Sequence, residues 1–223
     1  MFRLGIGSLP FLLPLMMQVG FGLSPFQSGL VTFSSAVGAM GMKTLAARII
    51  RTFGFRNMMT INAVVSSIFL AACALFTVTT PLMLIFIILV VGGFFRSLQF
   101  TAINTVAYAE VEPAQMSRAT TLVSVNQQLA ISAGVAVGAF CVEATMMLRH
   151  ASELTAAEFP PAFIVVAIIS AASAYFFWQM PDDAGHEISG RKAVEISSRK
   201  GAATAAIKAA TEGTQDARDQ RLG

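Results

Sequence analysis

Charge is what this sequence has least of. Acidic and basic residues make up 12% of it, against roughly 25% in ordinary soluble domains, and the stretches between Met58 and Arg96 and between Ala119 and Val142 contain none. Runs of that length without charge belong in a bilayer. The two cysteines, Cys73 and Cys141, both sit in apolar runs, where a small buried hydrophobe fits better than a disulfide or a metal ligand. Histidine is nearly absent: His150 and His186 lie outside every apolar run. Neither has a second ligand at metal spacing, so no metal site is expected, and intramembrane serine hydrolysis lacks its base. Gly38 to Thr44 resembles a phosphate loop only at a glance, because Met42 stands where Gly must directly precede Lys43 and Thr44. No cofactor and no enzyme chemistry follow. A cleavable signal peptide is lacking too, since Arg3 leads directly into an apolar run containing Pro10 and Pro14 with no small-residue cleavage site. The first span is expected to stay. The pI of about 9.2 does not point to nucleic acid, because the Lys and Arg residues stand at span ends and in a polar tail, with no soluble domain to present them.

What the sequence does have is apolar length. A ~30 Å hydrocarbon core needs about 20 helical residues, and six runs satisfy it: 4–21, 28–47, 58–78, 82–105, 120–148 and 161–180. The expected fold is therefore all-α and integral to the membrane, a six-span domain over 1–181. From Asp182 the chain turns polar, with Ala, Ser, Gly and balanced charge, and 182–223 reads as a mostly disordered tail. Orientation follows from Lys and Arg in the short loops. Arg48, Arg51 and Arg56 follow the second span, Arg118 follows the fourth, and Arg191, Lys192, Arg199 and Lys200 lie in the tail, whereas 22–27 and 79–81 are uncharged. Both termini are expected in the cytoplasm, with Trp178 and Tyr175 anchoring that interface.

The basic loop between spans two and three has its own pattern: Ala46-Ala47-Arg48, a short stretch, then Gly54-Phe55-Arg56. Gly54 permits a tight turn, and the arginines suit helix carbonyl ends and lipid phosphates, as in any cytoplasmic loop. Two other segments, one before it and one after, stand in order with it. The first span reads Leu9-Pro10-Phe11-Leu12-Leu13-Pro14-Leu15-Met16-Met17-Gln18-Val19-Gly20, then Ser24-Pro25-Phe26-Gln27-Ser28-Gly29-Leu30; the fifth reads Asn126-Gln127-Gln128-Leu129, then Gly134-Val135-Ala136-Val137-Gly138. Together they resemble the carboxyl-terminal half of major facilitator superfamily transporters, in particular the fourteen-span drug:proton antiporters of the EmrB/QacA type. The resemblance covers nearly everything from Phe2 to Met180. It implies two three-helix inverted repeats forming half of an alternating-access carrier, with the substrate site between halves at mid-membrane. It further implies efflux of amphipathic small molecules in exchange for protons across a bacterial inner membrane. The family's charge-coupling residues lie largely in an amino-terminal half not seen in this chain, and no acidic residue falls at mid-membrane depth here. Proton coupling is thus expected through that missing half. The alternative is a truncated, non-transporting membrane fragment or a membrane assembly partner.

Polar side chains inside spans are expensive and suggest function. Arg96 lies about 14 apolar residues into the fourth span, deep enough that facing lipid would cost several kcal/mol. It either faces a cavity or snorkels inward. Gln99 shares its face, about 60° away, and Asn104 flanks it at about 80°. In the fifth span Gln127 and Gln128 offer uncharged donors and acceptors to a substrate or to a neighbouring helix. Ala130, Gly134 and Gly138 form a small-residue packing ridge. Gln18, with Met16 and Met17, is either cavity lining near the outer end or packing.

Overall fold

A computed structural model describes residues 1–53, 55–108 and 111–180. Gly54 and the tail from 182 lie outside the described residues. Among the described residues every regular element is helical, with no strand. The first rod comprises α1 (Phe2–Gly7), α2 (Leu9–Leu15) and a π-turn over Met16–Gly20. The others are α3 (Pro25–Phe53), α4 (Phe55–Ala72) continuing in a 3-10 turn to Leu75, α5 (Leu82–Tyr108), α6 (Met116–Arg149) and α7 (Phe159–Trp178). Five of the six rods are long and apolar enough to cross a membrane: Phe2–Gly20, Phe55–Leu75, Leu82–Tyr108, Met116–Arg149 and Ala156–Trp178. The remaining rod, α3, has 29 residues, ample for a ~30 Å core, but is richer in Ser, Thr and Gly.

Local chemistry explains where the rods bend and stop. Pro10 and Pro14 have no N–H to offer the preceding turn, and the irregular first rod answers with the wider turn at Met16–Gly20, where the Phe21 N–H bonds the Met16 carbonyl five residues back. Gly22 then turns the chain at φ +69, which favours glycine. The third expected span, 58–78, ends early in the structure. Phe76 is already extended, and the Thr77 N–H bonds the Thr80 hydroxyl at 2.9 Å in a turn just before Pro81. That turn satisfies backbone groups the helix would otherwise have held. Before α7, Thr155 and Glu158 form a reciprocal capping box. Glu158 also lies 3.8 Å from Arg149.

Glycine sets the packing. A Cβ on Gly38 of α3 would lie 1.8 Å from the Val90 carbonyl oxygen of α5, and one on Gly93 of α5 would lie 2.1 Å from the Ser35 oxygen of α3. The same pattern recurs at α1 and α6, where a Cβ on Gly134 would lie 2.1 Å from the Leu4 oxygen and one on Gly7 2.7 Å from the Ile131 Cα. Three residues separate Val90 from Gly93 and Leu4 from Gly7; three separate Ser35 from Gly38 and Ile131 from Gly134. Rod one thus meets rod five as rod four meets rod two. Close small-residue crossings of this kind drive helix association in lipid, where burying apolar surface gains little. Exchanging the first three rods with the last three also maps α4 against α7 onto itself, as two three-helix repeats require.

The first rod and α7 meet beside α4. Arg56 Nε, at the start of α4, donates to the Trp178 carbonyl at 2.9 Å, and Phe2 shares a buried cluster with Ala63 and Ala174. Outward-facing apolar side chains, including Phe26 at 80% and Leu148 at 82% exposure, are far more than a water-soluble surface tolerates and suit acyl chains.

Candidate functional site

Between the first rod, α3, α5 and α6 lies a cavity of about 550 Å³, within the range of small-molecule sites. Its wall is mostly apolar, with Phe2, Ile6, Leu13 and Phe100 prominent, and both prolines of the first rod border it. Two cations enter that wall, Arg3 and Arg96. Arg96 sits on α5 one turn past Gly93, so the close crossing with α3 brings its Nη2 to the Ser35 hydroxyl at 3.2 Å. Ser97, its neighbour, ties the same crossing by donating to the Ala39 carbonyl at 3.1 Å. Arg96 therefore faces the cavity rather than running to the inner surface.

Arg3 was not a sequence candidate. Its Nη1 donates to Gln127 Oε1 at 3.1 Å and its Nη2 to Asn104 Oδ1, while its guanidinium lies 5.0 Å from the Phe100 ring centre, a cation–π arrangement. One side chain thus joins the first rod, α5 and α6. A signal existed: Asn104 and Gln127 are intramembrane amides near the same face as a terminal arginine, and buried amides need partners.

The remaining candidates divide by location. Asn104 and Gln127 reach the cavity through Arg3. Gln99 does not line it, although a helical wheel puts it on the Arg96 face. It is fully buried against α4, accepting from Asn62 Nδ2 at 2.8 Å and donating to the Met59 carbonyl at 3.1 Å. A helix inside a bundle meets neighbours on several sides, so a 60° difference is enough to aim one side chain at a cavity and the next at a helix. Gln18 stands in the π-turn with Nε2 3.5 Å from Ser28 Oγ, outside the cavity, and Met16 and Met17 are buried in the core. Gln128 is exposed on α6. Gly134 packs on Leu4 and Ser8, and Gly138 on Leu12 and Ser8; Ala130 is half-buried on the same helix. In the loop motif Arg48 is exposed and Arg56 holds Trp178, as above, whereas Gly54 falls outside the described residues.

Among the described residues no group of His, Cys, Asp and Glu is placed to hold a metal ion. No carboxylate among the described residues lines the cavity. The arrangement can bind and orient a solute, and it contains neither a nucleophile with a base nor a cofactor cradle.

Comparison with known proteins identifies the family. The family model of the Major Facilitator Superfamily matches residues 1–215. Similar curated proteins include three named "Putative multidrug resistance protein MdtD": one from Serratia proteamaculans, 30% identical over 81% of this chain and 38% of its own length; one from Yersinia enterocolitica, 33% identical over 82% and 39%; and one from Yersinia pestis, 32% identical over 82% and 40%. The chain spans about two fifths of the length of these relatives. No solved structure matches it. The chain belongs to the major facilitator superfamily, a family of membrane transporters and not of enzymes.

Proposed function

We propose that this chain is one six-span half, over 1–181, of an alternating-access carrier that exports amphipathic small molecules across a bacterial inner membrane in exchange for protons. The observation that carries this reading is the cavity of about 550 Å³ among the first rod, α3, α5 and α6, with Arg96 and Arg3 in its wall. Charged side chains are kept inside a bilayer where they meet a solute or a partner charge. The first rod, with two prolines and a π-turn, is built to change shape beside the cavity. The relatives are named for multidrug resistance, which supplies the drug part of this reading.

Proton exchange needs a group that titrates in the transport path. Among the described residues no carboxylate borders this cavity, and the titrating group is assigned to the portion of the relatives that this chain does not match. Both termini of the chain and the loop carrying Arg48 and Arg56 are assigned to the cytoplasm from their positive charge.

Reconstitution tests the proposal. Proteoliposomes holding the chain completed by an amino-terminal half should move a lipophilic dye under an imposed pH gradient, and vesicles holding this chain alone should not. Robust gradient-driven movement by the chain alone would refute the half-carrier assignment. A completed carrier that moves no solute of any charge would refute transport itself.

A further inference from the structure

The charge in the cavity specifies what enters it, an inference that rests on the transport reading. Both guanidiniums that border the cavity are held by neutral groups. Arg96 has the Ser35 hydroxyl, and Arg3 has the amide oxygens of Gln127 and Asn104. Such acceptors fix direction yet leave a full positive charge on each side chain. Arg3 Nε is buried without a hydrogen-bond partner. Of the carboxylates among the described residues, Glu158 is engaged with Thr155 and Arg149, Glu143 lies in a separate cleft beside His150, and Glu112 and Glu153 do not line the cavity. Two uncompensated cations bordering one low-dielectric space repel each other and attract an anion far more strongly than in water.

We propose that the cavity binds an organic anion, with a carboxylate head held at Arg96 and drawn in by the second positive charge of Arg3, and an apolar body against Phe2, Ile6, Leu13 and Phe100. The guanidinium fork matches a carboxylate bidentately. The Phe100 ring, already beneath Arg3, offers an aromatic wall next to the charge. A cationic solute would meet like charge on entry, and a neutral one would leave both arginines unpaired.

Three probes of one shape and different charge decide this: 2-naphthoate, its methyl ester, and 2-naphthylmethylammonium. Equilibrium dialysis against the chain in phosphatidylcholine nanodiscs should rank naphthoate at least ~10-fold above both others. Arg96→Ala should weaken naphthoate by ~10-fold or more, with Arg96→Lys between, because an ammonium keeps the charge but loses the fork. Ester or ammonium binding equal to naphthoate, no naphthoate binding, or an unaltered Arg96→Ala would overturn the proposal. If the variants fail to fold, the ranking on the unaltered chain still decides. Phospholipid headgroups carry the same anionic oxygens, so dialysis is repeated with phosphatidylglycerol in the disc. Retained naphthoate binding supports a solute site, and complete displacement makes it a lipid site and overturns the proposal. Counterflow in the completed carrier separates the two readings. Arg96-dependent binding without movement of any probe contradicts transport alone, whereas movement favouring the ammonium contradicts the anion site and leaves transport standing.

Discussion

Replacing Gly38 by Ala should loosen the crossing of α3 and α5. The added Cβ would lie 1.8 Å from the Val90 carbonyl oxygen and 2.8 Å from its carbon, where an ordinary carbon–oxygen contact is about 3.3 Å. The backbones must therefore part by roughly 1.5 Å. Neither side can yield cheaply, because the clashing atoms are backbone. Overpacking of this kind costs about 1–3 kcal/mol, and the separation also stretches the bonds from Arg96 to Ser35 and from Ser97 to the Ala39 carbonyl. Against it, Ala gains up to ~1 kcal/mol of helix propensity over Gly. The expected net loss is ~0–2 kcal/mol, up to about a 30-fold shift toward the unfolded form. Gly29 on the same helix has nothing within 4 Å of its would-be Cβ, so Gly29→Ala keeps only the propensity gain. Reversible unfolding by SDS in mixed micelles measures both variants against the unaltered chain. Gly134→Ala, whose Cβ would lie 2.1 Å from the Leu4 oxygen, should behave like Gly38→Ala. The reasoning fails if Gly38→Ala proves as stable as Gly29→Ala.

Gln99→Leu leaves the Asn62 side chain, whose Oδ1 is already buried without a partner, with one fewer acceptor. It should cost about 1–3 kcal/mol in the same unfolding assay, while transport per folded molecule of the completed carrier stays near normal; a selective loss of transport would return Gln99 to the site. Reporter fusions after Gly54 and Gly201 should both read cytoplasmic, and a periplasmic reading at either would invert the topology.

Much of the fold was legible because bilayer thickness sets helix length, so long apolar runs such as 82–105 and 120–148, each with a single charge, mark helices without knowledge of their neighbours. Boundaries shifted where side chains competed with the helix, as at Thr77 and Thr80. The ridge of Gly134 and Gly138 was legible as packing, since small residues at four-residue spacing have few other uses in lipid. Its counterpart at Gly38 and Gly93 was not, because its two glycines belong to different helices and align only in three dimensions. Depth alone singled out Arg96, which lines the cavity. Gln99 misled because angle on one helix does not name the neighbour it faces. Arg3 was overlooked because a cation near the start of a span reads as a topology signal, and only the return of α5 and α6 shows Asn104 and Gln127 meeting it.

The central claim is that the Arg96 cavity belongs to a carrier opening alternately to the two sides of the membrane. Thr32 lines that cavity, so a Thr32→Cys variant of the completed carrier, with Cys73 and Cys141 replaced, reports access to it. A membrane-impermeant maleimide applied from one side and then the other, with and without 2-naphthoate, should label the cysteine from both sides, with substrate raising one rate as it lowers the other. Labelling from a single side whatever the conditions would contradict the account.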